Sequence, residues 1–432
     1  MVRVDSSTVT LGILGCGNVG AALVELIQRD GDTIAARTGI RLQIGRVAVR
    51  SLSKERGVEL AGDVWTTDAA SVVTDPSIDV VVEVLGGIEP AHSLISESLK
   101  SAKPVVTANK ELLANVGAEL FAEAEIAGVD LLFEAAVAGG IPFVRPLRES
   151  LVGEQITRVM GIVNGTTNFI LSQMSAHGTS YADALAEAQS LGYAERDPTA
   201  DVEGFDAGAK AAIIASLAFG VRVVAGDVSH EGIAGITASD IAFASQLGYT
   251  IKLLAICDRF DDGSVAVRVH PAMVPDAHPL ASVRDSFNAV FVQGEAVGDL
   301  MFYGRGAGGF PTASAVLGDV LDASANLRRG GSASVGQLGR ATIRPIDELE
   351  SPFYLNIEVA DEPGVLAAVA ASFGTHGVSI RSMEQEGLGN DARLVFITHV
   401  AREADVRSTL RELSALDAVT RIGSVLRVVE AS

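Results

Sequence analysis

The sequence predicts an α/β protein in three parts: a parallel sheet covered by helices over residues 1–146, an α+β region over 147–326, and, after a linker at 327–350, a small ferredoxin-like module over 351–432. Three observations carry this. Apolar strand-like runs alternate with helical patterns from Val9 to Phe133, the alternation that yields a parallel sheet with helices on both faces. From Arg148 to about Tyr303, long Ala-rich helices mix with strand-like runs instead. From Phe353 the order is β-α-β-β-α-β, which is the ferredoxin-like motif.

In the first part, Val9 to Gly15 reads as a buried strand, followed by a glycine turn and the helical pattern Ala21 to Arg29. Arg41 to Arg50, Val80 to Leu85, Val105-Val106 and Val129 to Phe133 continue the strands. In the second part, Tyr181 to Ser190 and Phe205 to Phe219 read as helices, and Ser264 to His270 and Ala289 to Gln293 as strands. The glycine-rich run Gly304 to Gly309 opens an apolar helix through Leu321, and 304–326 is expected to pack back on the first domain. Leu327 to Glu350 has little periodicity and reads as a flexible linker. The tail then gives strands at Phe353–Ala360, Val378–Glu384, Leu394–Val400 and Ile422–Val429, with helices at Val365–Phe373 and Ala404–Leu416.

Composition narrows the function. With 48 % hydrophobic and 20 % charged residues, each part can bury a core. The formal net charge of −21 repels phosphate backbones and anionic headgroups, which argues against nucleic acid or membrane as partner. No signal-like apolar leader is present, so a cytoplasmic protein is expected. The two cysteines, Cys16 and Cys257, form neither a disulfide framework nor a metal site. His270, Asp276 and His278 lie among prolines without ligand spacing and read as a structural loop.

Gly15-Cys16-Gly17-Asn18-Val19-Gly20 is a G-x-G-x-x-G between a strand and a helix, the context a Rossmann-type dinucleotide-binding domain requires. The first glycine permits the turn, the second lets backbone approach a diphosphate, and the third lets helix and strand pack. The second strand ends Ala48-Val49-Arg50-Ser51, with no carboxylate to hold ribose hydroxyls. Arg50 could hold a 2′-phosphate, which favours NADP(H) with NAD(H) also usable; a solvated loop charge is the alternative.

The segment Gly192 to Lys210 carries five carboxylates, Glu195, Asp197, Asp201, Glu203 and Asp206, suited to a substrate with an ammonium group. Asp206 and Lys210 share a helix face. Between Ala207 and Phe219, Lys210 is the only charge, so the helix has no polar face for it. A partly buried, paired lysine is expected.

This segment, with Thr107-Ala108-Asn109-Lys110 and Asn164-Gly165-Thr166-Thr167-Asn168-Phe169-Ile170, resembles the homoserine dehydrogenase family over essentially the whole chain. The resemblance implies reduction of L-aspartate 4-semialdehyde to L-homoserine, reversibly, on the route to threonine, methionine and isoleucine. It implies Lys210 as proton donor and Lys110 as a second active-site lysine. It places substrate at Glu195, Asp206, Gly192 and Asp201. Cofactor contacts would come from the glycine loop, Ala48, Arg50, Thr107, Lys110 and Gly306. It further implies a monovalent cation, sodium, near Glu134, Val137, Gly139 and Ile141, the last three through backbone carbonyls.

The tail, with Asp361-Glu362-Pro363-Gly364 between its first strand and helix, resembles an ACT domain. Threonine is the expected effector, at Asp361 and Gly364, and a homodimer or homotetramer the expected assembly, built partly by the α+β substrate and dimerisation domain. A chain ending near Arg344 is expected to keep catalysis and lose threonine sensitivity. Rival readings are weaker. A pure sensor needs neither Lys210 nor the carboxylates, and a phosphorylating aldehyde dehydrogenase needs a nucleophilic cysteine, which neither Cys16 nor Cys257 supplies.

Overall fold

Six short apolar segments form one parallel sheet: β1 (Ser7–Leu14), β2 (Ile40–Ala48), β3 (Trp65–Thr66), β4 (Val80–Glu83), β5 (Val105–Thr107) and β6 (Leu131–Leu132), in the order β3-β2-β1-β4-β5-β6. Every neighbouring pair is parallel. Helices α1 (Asn18–Thr38), α2 (Ala69–Thr74), α3 (Ala91–Lys100) and α4 (Lys110–Ala127) make the crossovers. The computed structural model describes residues 7–333, 335–389 and 391–430.

Alternate positions of β1 supply two cores. Val9, Leu11 and Ile13 pack with Leu23 and Ile27 of α1 and with Ala313, Val316 and Val320 of the helix Gly309–Arg329. Leu14 faces Val72, Val73, Ile95, Leu99 and Leu120 on the other side. A strand buried on both faces reads as a continuous apolar run, which is why β1 and β4 were legible. Complete burial of each Leu or Ile stabilises by roughly 1.5–3 kcal/mol. β3 is two residues long, too short to show a period, and the sequence reading omits it.

The described chain falls into two compact units. One holds Met1–Val159, Ala209–Asp227 and Asn288–Ala341, and the other holds Met160–Gly208, Val228–Phe287 and Thr342–Ser432. In the second unit, Tyr249–Arg259 pairs antiparallel with Val265–Pro275. The tail has the expected ferredoxin-like pattern. Its strands Phe353–Ala360, Ile380–Leu388, Asp391–Thr398 and Val419–Val428 stand in the order fourth, first, third, second. The helices Val365–Thr375 and Glu403–Leu413 supply Val369, Phe373, Val406 and Leu413 to its core.

The expectation that the tail can be cut away cleanly is corrected here. Its last strand, Val419–Val428, pairs in parallel with Val265–Pro275 through Ala272–Arg427 and Met273–Val428. The tail is thus a continuation of the sheet that carries Val265–Pro275. Asp240, 1 % exposed, reinforces the join by accepting from Tyr354 Oη (3.1 Å), Asn356 Nδ2 (2.9 Å) and Ser424 Oγ (2.6 Å). Burial pushes the Asp240 carboxyl up, but the bonds from Asn356, Ser424 and Thr237 more than offset this and hold it below its ordinary value.

The expected flexible linker is likewise tied down. The preceding helix runs on to Arg329 and is closed by Gly330 at φ 69°. Gly339–Arg340 pairs with Val221–Arg222 in the first unit. In the second, Ile343 bridges Val265, and the Arg344 guanidinium meets Asp262 Oδ2 at 2.7 Å. These are long-range backbone and ionic partners, invisible to local periodicity. No helix among the described residues is long and apolar enough to cross a membrane.

Candidate active site

The glycine turn sits at the tips of β1 and β4, where strand order reverses, the position at which doubly wound sheets bind ligands. Gly15 has φ 100°, and a Cβ there would stand 2.8 Å from Val84 O. A Cβ on Gly20 would stand 2.5 Å from Gly15 O. Both positions therefore exclude side chains. Gly17 has nothing within 4 Å of where its Cβ would be, and it opens α1 with no side-chain cap. Asn18, Val19 and Gly20 thus present first-turn N–H groups, a ready anion site.

The later glycine loop faces the same turn. The helix Gly309–Arg329 also starts without a side-chain cap, at Gly308, and a Cβ on Gly309 would stand 3.1 Å from Asn18 O. Two bare helix N-termini thus lie side by side. Gly306 has no room for a side chain beside Asn288, and its carbonyl presses on Gly139, where a Cβ would lie 2.1 Å from Gly306 O. Gly140 N–H donates to Arg305 O at 3.1 Å. The structure therefore brings Gly306, Gly139 and Ile141 into one neighbourhood.

Glu134 is 5 % exposed, and its carboxylate accepts the N–H groups of Phe143 (2.5 Å), Val144 (2.7 Å) and Arg145 (2.8 Å). That carboxylate is a helix cap. The following turn has left-handed Ala138 and Gly139 in succession, φ 56° and 57°. No group of three His, Cys, Asp or Glu side chains among the described residues suits a metal. A cation in this turn would rest on the carbonyls of Val137, Gly139 and Ile141. His270, one of the residues read as structural, is buried, and desolvation drives its pKa down.

Ala48 is buried at the end of β2, and Arg50 follows it, exposed. The Arg56 guanidinium folds back onto the carbonyls of Ser51 (2.6 Å) and Lys54 and lies 5.5 Å from the Trp65 ring. Arg56 thereby shapes the loop, while Arg50 and Lys54 point cationic chains at solvent. Thr107 is buried at the end of β5, with Oγ1 donating to Glu83 Oε2 at 2.5 Å and accepting Asn109 N–H at 3.0 Å. Its hydroxyl is committed to the protein, so a cofactor contact there belongs to its backbone. Glu83, buried at the tip of β4, also accepts Leu85 and Gly86 N–H. The sequence reading missed it; a lone carboxylate closing an apolar strand was the available signal.

Asn109 caps α4 by accepting Leu112 N–H, which makes Lys110 the first helical residue. Lys210 lies on the helix Phe205–Phe219 and is 9 % exposed, as expected for a lysine without a polar face. These helices flank a small cavity lined by Leu113, Gly117, Phe121, Ile213, Ser216 and Leu217. Lys110 and Lys210 each stand about one turn before a lining residue, Leu113 and Ile213 respectively.

In the second unit, Asn164 Nδ2 donates to Asp201 Oδ1 (2.7 Å) and Asp206 Oδ2 (2.9 Å), which gathers the two carboxylates. Thr166 Oγ1 donates to Tyr193 O at 2.7 Å, tying the Gly192 turn (φ 77°) to the same helix end. Glu195 is exposed, and Gln189 Nε2 holds its carbonyl at 3.1 Å. Asn164 is the member that sequence reading left unused. In the tail, Gly364 (φ 92°) starts its helix with no side-chain cap, beside exposed Asp361. Burial raises the thiol pKa of both Cys16 and Cys257, against any nucleophilic role.

Two uncapped helix N-termini at the switch point of a doubly wound sheet suit a dinucleotide's diphosphate, the arrangement of dinucleotide-dependent oxidoreductases. Residues 15–134 match the homoserine dehydrogenase NAD-binding domain, 142–321 the homoserine dehydrogenase family proper, and 353–418 the ACT domain. The chain is 51 % identical to the homoserine dehydrogenase of Corynebacterium glutamicum over 98 % of this chain and 96 % of that one. It is 44 % identical to that of Bacillus subtilis, covering 97 % and 98 %. The homoserine dehydrogenase structure from Thiobacillus denitrificans superposes with a TM-score of 0.93 at 40 % identity, over 98 % of this chain and 99 % of that one. A hyperthermophilic archaeal homoserine dehydrogenase in complex with NADPH gives 0.63 at 29 % identity, covering 74 % and 98 %. The chain belongs to the homoserine dehydrogenase family, oxidoreductases acting on a CH–OH group.

Proposed function

We propose that the chain reduces L-aspartate 4-semialdehyde to L-homoserine, reversibly and with NADP(H) preferred, on the route to threonine, methionine and isoleucine. The observation that carries this is the Asp201–Asp206 pair, gathered by one amide and followed a helix turn later by nearly buried Lys210. A carboxylate pair suits an ammonium, and a desolvated ammonium on the enzyme suits an oxyanion.

The bound reduced nicotinamide supplies a hydride to the aldehyde carbon. The chain's residues do the rest. Asp206 and Asp201, with Glu195 and the Gly192 turn, hold the substrate's ammonium. Lys210 gives its Nζ proton to the carbonyl oxygen as negative charge gathers there, and takes one back in the reverse reaction. Lys110, in the first turn of α4, adds positive charge beside the oxyanion. The two bare helix N-termini and Gly306 hold the diphosphate. Arg50, exposed after a strand that ends without a carboxylate, reads the 2′-phosphate. The carbonyls of Val137, Gly139 and Ile141 would hold sodium, whose charge would steady the loop that packs on Gly306.

Threonine binds at the Asp361–Gly364 turn and inhibits. The uncapped helix N-terminus suits its carboxylate and Asp361 its ammonium. For inhibition it must bind the less active arrangement more tightly. A module of this kind completes its site by pairing, so a homodimer or homotetramer is the working assembly.

The test follows NADPH absorbance. Oxidation with aspartate semialdehyde, and reduction of NADP+ with homoserine, are expected; failure in both directions overturns the reading. Millimolar threonine should slow the full-length enzyme and leave Gly364→Val insensitive. Equal inhibition of both would refute the effector site.

A further inference from the structure

Asn164 stands between the two carboxylates given to the substrate ammonium, and no step above employs it. It is 4 % exposed and sits at the N-cap of the helix Gly165–His177. Its Oδ1 accepts Thr167 N–H at 2.9 Å and Thr167 Oγ1 at 3.0 Å. Its Nδ2 donates at 2.7 Å to Asp201 and at 2.9 Å to Asp206. The orientation of the amide is dictated. A backbone N–H can only donate, so it must face the oxygen, and the NH2 is left for two groups that accept.

We propose that Asn164 is a positioning residue of the reaction: its amide holds Asp201 and Asp206 as one two-carboxylate clamp for the substrate's ammonium. Two carboxylates drawn together repel, and a shared donor is needed to gather them. A lysine or arginine there would gather them and also neutralise them, competing with the substrate's own cation. An amide supplies one N–H to each carboxylate without adding a positive charge of its own. It also fixes one oxygen of each, and so the direction of the other. The helix cap couples the clamp to the helix Gly165–His177, whose first turn also holds the Gly192 turn through Thr166.

This inference rests on the ammonium-binding role of Asp201 and Asp206, so both are tested together. Asn164→Asp keeps the cap oxygen, since Asp is as good an N-cap as Asn, and loses both donors. A third carboxylate beside Asp201 and Asp206 should lower the melting temperature by like-charge repulsion, with NADPH binding unchanged. KM for aspartate semialdehyde and for homoserine should rise by about 10- to 100-fold, with kcat falling less, as loss of substrate orientation implies. Preference over succinate semialdehyde, which lacks the ammonium, should shrink in parallel. Should that variant not accumulate folded, Asn164→Ser keeps a cap oxygen, cannot span both carboxylates, and should shift KM the same way. If Asp201→Asn and Asp206→Asn raise KM while the Asn164 variants leave it unchanged, Asn164 is only a cap and the proposal falls. If none of these variants moves KM, the ammonium site itself is misassigned, and the proposal falls with it.

Discussion

Replacing Arg427 with methionine should cost about 3–5 kcal/mol, the cost of leaving a buried charge without its partner. Its guanidinium is 9 % exposed and donates to both Glu231 carboxylate oxygens and, at 2.6 and 3.2 Å, to both of Glu403. Burial opposes its charge, but these two carboxylates hold it more firmly protonated than an ordinary arginine. The partners are unequal. The Glu231 side chain is 43 % exposed and can turn to water, so its share should be about 0–1 kcal/mol. The Glu403 side chain is 11 % exposed and cannot, so most of the loss comes from stranding it. Urea unfolding followed by circular dichroism at neutral pH gives the cost from the shift in midpoint at constant slope. Glu231→Gln should lose under about 1 kcal/mol, and Arg427→Met with Glu403→Met together should recover most of the single-mutant loss. The Arg427→Met loss should also persist at high salt, since a buried pair is weakly screened. If Arg427→Met loses less than about 1 kcal/mol, or the double variant is worse than the single, the buried Arg427–Glu403 pair is not stabilising the fold as argued.

Three further outcomes are expected. Lys210→Ala should lower turnover by ~10²–10⁴, the range for loss of a general acid, with NADPH binding retained; near-normal turnover in the folded variant refutes the assignment. Arg50→Ala should weaken NADPH far more than NADH, because only NADPH carries the 2′-phosphate; equal losses in a titration would show that Arg50 does not read it. Asp319 is 3 % exposed, and burial pushes its carboxyl up to about 7, with the Glu134 N–H bond pulling the other way. Its folded value thus lies above the unfolded value near 3.8. The folded chain keeps a proton that the unfolded chain releases, so this contribution to stability is full below about pH 4 and is lost as pH rises through 7. Asp319→Asn should flatten that decline between pH 5 and 8 in urea midpoints; parallel curves would show that Asp319 does not titrate in this window.

Much of the fold and of the candidate site's local geometry was legible because it sits in local patterns. The glycine turn needs its residues adjacent, and Lys210 shows itself by its isolation on an apolar helix. The tail's alternating strands and helices gave its motif outright. What stayed hidden spans distance. Asn164 reaches Asp201 across 37 residues and Asp206 across 42. Arg427 reaches Glu231 across 196. No window of periodicity contains such pairs. The same blindness made residues 327–350 read as a loose tether, since their partners are a distant strand, Asp262 and the start of the tail's second helix. Thr107 was read as a cofactor contact, and only Glu83 beside it reveals that its hydroxyl is already engaged.

The position of Val419–Val428 has a consequence for how the chain is made. This strand lies inside its sheet, between Val265–Pro275 and Phe353–Ala360, yet it is synthesised long after the first of these. Domains commonly fold as units during synthesis, the N-terminal one first. Here Ala272 and Met273 must wait for partners synthesised about 150 positions later, while Ser229–His230 can already pair with Arg268 and Val269 of the same strand. An unpaired edge invites pairing with another chain. A chain that stopped before Val419 would lack an interior strand of this sheet, not an edge.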